Sequence, residues 1–167
     1  HDQFYDQTKT FPYSIYAKIT PVFHSPEENA KSRLEALGYR AEDVSIVVIS
    51  HFHADHIAGL VDFPNAKFVC DSKAWLSIRS KSGFWAVKRG FIPSLLPADL
   101  EERLELIDFE KATAVKHHEI LKREYDLFND GSFMISELPG HASGQIGAII
   151  QTNSGEVFLI ADAAWVK

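Results

Sequence analysis

The chain has 167 residues, close to a single domain at about 150 residues each and long enough to bury one core. Hydrophobic residues make up 46% and aromatics 12%, which excludes disorder as the main state. Lys and Arg total 17 against 23 Asp and Glu, a formal charge of −6, so no overall positive field draws the chain to nucleic acid or anionic lipid.

The N-terminus, His1-Asp2-Gln3-Phe4, carries neither an initiator Met nor a signal-peptide pattern, and no apolar run approaches the roughly 18 residues of a membrane span. The expectation is a soluble, cytoplasmic chain without a membrane partner. Ser25-Pro26-Glu27-Glu28 predicts a helix start, with Ser25 as N-cap, Pro26 where its missing N–H costs nothing, and Glu28 closing a capping box. Ala30, Leu34 and Leu37 then share one face until Gly38 offers a stop. Val44 to Ile49 is apolar at almost every position, which predicts a strand buried on both faces and a sheet covered by helices.

A short strand from Lys67 to Cys70 and a helix capped by Asp71, carrying Trp75, Leu76 and Ile78, are predicted next. Cys70, the one cysteine, has no internal disulfide partner and reads as a buried strand thiol. Residues 79–100 fit neither the helical nor the strand period and read as a broken-helical insertion rich in aromatics. Strands are predicted at Leu104 to Ile107, near Glu119 to Tyr125, and at Phe133 to Leu138, Ile146 to Thr152 and Glu156 to Ala161, the last two joined through Asn153-Ser154-Gly155. With no repeat or linker, residues 1–167 read as a single α/β domain. Trp165-Val166-Lys167 follows directly on the last strand, so both ends are expected to be cut, leaving a sheet edge open to a second copy in a homo-oligomer.

Chemistry concentrates in Ser50-His51-Phe52-His53-Ala54-Asp55-His56, directly after an apolar strand, where open α/β sheets place their ligands. Neutral imidazoles at His51 and His53 alternate outward on one side of an extended segment and can reach one Zn²⁺-like cation, while Asp55 and His56 point to a neighbouring position. Solvated loop histidines are the plainer reading, and it suits His1, His24, His117 and His118. For the cluster it would leave many polar atoms beside a buried strand without partners. Leu138-Pro139-Gly140-His141-Ala142-Ser143-Gly144 offers a further nitrogen at a strand end, and Asp162 places a carboxylate after an apolar run, where it needs a partner or a metal.

H-x-H-x-D-H, then P-G-H-x-x-G, then an Asp closing an apolar strand, in this order from His51 to Asp162, resemble the metallo-β-lactamase superfamily. The resemblance implies an αββα sandwich, incomplete here at both termini, with metals at one edge of two sheets. It implies His51, His53 and His141 around one ion, Asp55 and His56 at a second, and Asp162 bridging both. Two zinc ions are the expected cofactor, with Fe or Mn also suited to such ligands. A hydroxide between the ions would be the nucleophile, and Asp55 the catalytic carboxylate.

Within the superfamily the chain is similar to the branch of acyl-homoserine-lactone lactonases and related small-molecule hydrolases. Asp162-Ala163-Ala164-Trp165 stands where that branch has Asp-Ala-x-Tyr, whose Tyr assists at the substrate carbonyl. Trp165 has no hydroxyl, which points to another lactone or ester as substrate. The separation from His56 to His141 is longer than in compact lactonases, and the superfamily's last histidine would lie beyond Lys167. Phe84, Trp85 and Phe91 of the insertion, with Trp165, are the expected substrate pocket. The same composition also suits a satellite core packed on the domain. Competing functions are a mononuclear iron dioxygenase acting on a persulfide, a nuclease by analogy alone, and a truncated domain with little or no turnover.

Overall fold

Two short helices, α1 (Gln3–Gln7) and α2 (Tyr13–Ile19), open the chain, with Phe4 of α1 buried against Tyr16 of α2. The computed structural model describes residues 3–23, 25–111, 121 and 123–164. The predicted capping box forms, with the Ser25 N–H donating to Glu28 at 3.3 Å, but it opens only a single tight turn over Pro26–Glu28. Asn29 then takes an extended backbone, and its side chain accepts from the Ser32 N–H at 2.8 Å to start α3 (Ala30–Ala36). Asn is as good an N-cap as Ser, so two adjacent caps compete and the second one carries the helix.

The first strand, β1, is shorter than predicted and covers Ile46–Val48, because Ala41–Asp43 forms a turn and Ile49 leaves the ladder after one more bond, its N–H donating to Val69 at 2.8 Å. It is followed by α4 (Ala54–Ile57), β2 (Lys67–Asp71) and α5 (Ser72–Ile78). Asp71 caps α5 as predicted, accepting from the Lys73 N–H at 2.7 Å. Residues 79–100 carry α6 (Gly83–Val87), a turn at Pro93–Leu95 and the start of α7 (Leu100–Arg103). The next strand, β3 (Leu104–Ile107), joins β1 and β2 in a parallel sheet of order β1-β2-β3, with Val47 beside Phe68 and Phe68 beside Leu104.

A second, antiparallel sheet runs in sequence order: β4 (Glu124–Asp126), β5 (Phe133–Glu137), β6 (Ile146–Thr152) and β7 (Gly155–Leu159). The predicted segment from Glu119 to Tyr125 lies partly outside the described residues. The final hairpin turns through Asn153-Ser154, with Thr152 opposite Gly155. Alternation along the strands sorts the side chains into layers. On the parallel sheet, Val47, Phe68 and Cys70 face the helices, where they meet Phe52, Trp75, Phe91 and Leu95. Ile46, Val48 and Val69 face the other way, onto Ile135 and Ile146 of the antiparallel sheet. The first strand thus packs on both faces, and its lateral edge leaves its residues half-buried. Met134 and Ile149 point to the far side of the second sheet, in a small cluster with Leu121 and Leu138.

Two sheets face to face with helices outside the first form the mixed α/β sandwich that the resemblance implies. No described helix is long and apolar enough to cross a membrane. Where the sheets meet, the Ile146 N–H donates to the Ser50 carbonyl at 2.9 Å, which fixes the end of the first strand against the second sheet beside the histidine cluster.

Candidate metal centre

Four segments meet at this edge. His51 and His53 lie on the extended stretch between β1 and α4, and His53 is the residue that starts the helix, so Asp55 and His56 fall in its first turn. His141 lies on the loop between β5 and β6, which is closed by the Leu138 N–H donating to Gln145 at 2.9 Å. Asp162 sits on a turn over Ala161–Ala163, since β7 ends at Leu159, two residues before the predicted end. Ala161, at φ +47°, holds the left-handed backbone that aims this turn.

His51, His53, His141 and Asp162 each offer one ligand atom, and the four atoms lie within 4.8 Å of one another. His53 Nδ1 and His141 Nε2 face each other at 2.9 Å. Asp162 Oδ2 is 3.2 Å from His141 Nε2 and 3.8 Å from His51 Nε2. A tetrahedral ion with bonds of about 2.0–2.1 Å holds its ligand atoms roughly 3.3 Å apart, and the observed separations bracket that value. His51 is fully buried, and its Nε2 has no hydrogen-bond partner. Burial first, and then the neighbouring imidazoles of His56 and His53, push its pKa down to about 3, so the ring is neutral with a lone pair to give. His53 is lowered as well, by burial and then by His141. A buried, neutral, unpartnered nitrogen facing two further imidazoles and a carboxylate fits a metal ion and little else.

The second predicted position is looser. His56 Nε2 lies 3.4 Å from Asp162 Oδ2 and 3.6 Å from Asp55 Oδ2, and the Asp55 side chain is mostly exposed. Beneath both positions, the Ser50 hydroxyl oxygen stands 3.3 Å from His51 Nδ1 and 3.2 Å from His56 Nδ1. One oxygen can accept from both Nδ1–H groups, which leaves both Nε2 atoms free to bind metal.

A cavity of about 480 Å³ opens on His53, Asp55, His141 and Asp162, and Tyr16 of α2, Ser77 of α5 and the run Lys88-Arg89-Gly90 also line it. Burial, and then the Asp55 charge, raise the Tyr16 pKa, so its phenol stays protonated. Of the aromatic residues expected in the pocket, the three that are described lie elsewhere. Phe91 is buried in the helix-side core, Phe84 and Trp85 are 60% and 67% exposed and do not line the cavity, and Trp165 falls outside the described residues. The stretch from 79 to 100 does reach the centre, through its basic residues. Tyr16, Lys88 and Arg89 had no local signal, because only tertiary packing brings them to the cavity. His1, His24, His117 and His118 lie outside the described residues.

Residues 21–167 match the sequence profile of the Metallo-beta-lactamase superfamily, and the chain belongs to that superfamily. Among curated proteins it is 32% identical over 160 residues to the metallo-hydrolase mfmC of Annulohypoxylon moriforme, covering 90% of this chain and 39% of that protein. It is 27% identical over 140 residues to the N-acyl homoserine lactonase AttM of Azorhizobium caulinodans, covering 83% of this chain and 48% of the relative. The chain thus spans less than half the length of these relatives. Among solved structures, an N-acyl homoserine lactone hydrolase with the product N-hexanoyl-L-homoserine at its catalytic metal centre matches with a TM-score of 0.60 and 20% identity, over 86% of this chain and 48% of that one. The dizinc quorum-quenching lactonase AidC matches with a TM-score of 0.58 and 21% identity, over 79% of this chain and 45% of that one. At these identities the structural likeness concerns the fold.

Proposed function

We propose that this chain is the metal-holding part of a hydrolase that opens a lactone or ester of a small molecule. The observation that carries the reading is the convergence of three imidazoles and a carboxylate within 4.8 Å, with the buried His51 Nε2 unpartnered among them. Zinc is the ion this donor set suits, with His51, His53 and His141 as its nitrogen ligands and Asp162 shared with a weaker position at Asp55 and His56. When bound, such an ion polarises a carbonyl and brings the pKa of a coordinated water to about 7, so that a nucleophile is available at neutral pH.

The chain's own residues do the rest. The cavity beside His53 and His141 is within the usual size range for a small-molecule site and shields one face of the substrate from bulk water. Tyr16, kept protonated, donates a hydrogen bond toward the developing oxyanion or leaving oxygen, the task that Trp165 cannot perform. Asp55 lines the same cavity as an exposed carboxylate able to take up the proton released in the reaction. Residues 79–100 act as an insertion within the one domain and form part of the cavity wall. The relatives named as a metallo-hydrolase and as lactonases support this class of chemistry. Metal content by inductively coupled plasma spectrometry, paired with a lactone and ester panel, tests it. Zinc with hydrolysis supports the reading, and one iron with thiol-dependent oxygen uptake overturns it.

A further inference from the structure

Lys88 and Arg89 are the part of the cavity wall that metal-dependent hydrolysis does not call for. Both are exposed side chains that line the cavity shared with His53, Asp55, His141 and Asp162. Neither forms an ion pair with a carboxylate among the described residues, although the chain carries 23 acidic residues against 17 basic ones. The recorded contact of Lys88 is with an aromatic ring, its Nζ 5.9 Å from the centroid of Trp85. Asp55 and Asp162 share the cavity, but among the described residues their close contacts are with the imidazoles of His141 and His56 rather than with Lys88 or Arg89.

The backbone next to these cations is locked to the metal ligands. The Gly90 carbonyl accepts from the Ala54 N–H at 2.9 Å, the first residue after His53. Gly90 has φ +64°, and a Cβ there would stand 2.9 Å from Cδ2 of the His53 ring. Only glycine lets the chain come this close. Arg89 therefore begins about 3.8 Å from a residue in contact with a metal-ligating imidazole. Two adjacent cations, without an ion pair among the described residues and carried on a fixed backbone at the wall of the cavity, favour a negative charge on what binds there.

We propose that the cavity takes an ester or lactone bearing an anionic group, a carboxylate or phosphate, at the end remote from the scissile carbonyl, and that Lys88 and Arg89 bind that group. This rests on the hydrolase reading above. It differs from a pocket for a neutral acyl tail by the Lys88-Arg89 pair, which lines the same cavity as the apolar Phe52 and Ile78.

The test uses esters that differ in one charge. For the zinc-loaded chain, kcat/KM for monomethyl glutarate is expected to exceed that for dimethyl glutarate by at least about tenfold, and the ratio to shrink as salt is raised, because exposed charges are screened within about 8–10 Å. In Lys88→Gln/Arg89→Gln, with metal content measured and unchanged, the ratio falls to near one through KM of the monoester. A wild-type ratio near one, or a ratio that the double substitution leaves unchanged, overturns the proposal. If neither ester is turned over by metal-loaded protein, the anion site is judged by calorimetry instead, and the hydrolase reading fails only if the whole lactone and ester panel is also left intact. Glutarate is then expected to bind at least about tenfold more tightly than butyrate, with the advantage lost in the double variant, and an equal affinity overturns the site. Titration with 4-phosphonobutyrate alongside shows which anion the pair prefers.

Discussion

At the scale of single residues, Ser50 carries more than its size suggests. Its hydroxyl lies within 3.3 Å of Nδ1 of both His51 and His56, where it can accept from both rings and favour the tautomer that leaves each Nε2 free to bind metal. Ser50→Ala is expected to lower zinc affinity by about 10–100-fold, as other outer-shell partners do, while leaving the fold intact by circular dichroism. A competition titration against a chelating dye reads the change, and unaltered affinity would remove Ser50 from the centre. Cys70 behaves oppositely. Burial pushes its thiol up to about 12, so at pH 8 it should resist a thiol reagent in the native state and react once the chain is unfolded in guanidinium. The cluster of candidate ligands was legible because four of them, His51, His53, Asp55 and His56, stand in one short motif and His141 and Asp162 follow strands, where chemistry collects in this kind of fold. The cavity wall was not. Aromatic composition does not distinguish a residue lining a pocket from one filling a core, and Phe91 went to the core.

At the scale of elements, local rules decided where helices start and which strands are central. Asp71 caps α5, and Asp71→Ala is expected to cost about 1 kcal/mol in urea unfolding, provided that the Lys73 N–H finds no other acceptor. The capping box at Ser25 was legible as a motif, but its reach was not, because Asn29 supplies an equally good cap four residues on and takes the helix. The sheet to which Leu104–Ile107 belongs could not be read from its own residues either, since parallel pairing with Lys67–Asp71 depends on the path of the chain between them. The loop carrying His141 is held by a close approach: Gly144 has φ +65°, and a Cβ there would stand 2.3 Å from the Ala74 backbone nitrogen. Gly144→Ala must therefore move the loop off α5. A loss of about 1–2 kcal/mol from the left-handed backbone, with the steric clash added to it, is expected, together with weaker metal binding as His141 shifts. Wild-type stability and wild-type metal affinity in this variant would show that the contact is dispensable.

At the scale of the whole molecule, among the described residues the β7 edge of the second sheet is exposed. The last strand, β7, lies at the end of the second sheet, and all five of its residues are exposed, Val157, Phe158 and Leu159 among them. An uncovered apolar edge strand pairs with whatever it meets. Sedimentation equilibrium should find the 167-residue chain self-associating at micromolar concentration, and Val157→Lys should return it toward monomer. A monomeric wild-type chain would show that the edge is inert. This edge strand leads directly into the turn that carries Asp162. The central claim is that His51, His53 and His141, with Asp162, hold a metal ion. Metal content of chain dialysed against zinc, compared with His141→Ala and with Lys67→Ala as a surface control, tests it most directly. The account predicts at least one tightly held zinc per chain in the wild type and the control and a sharp loss in His141→Ala; equal zinc in all three would contradict it.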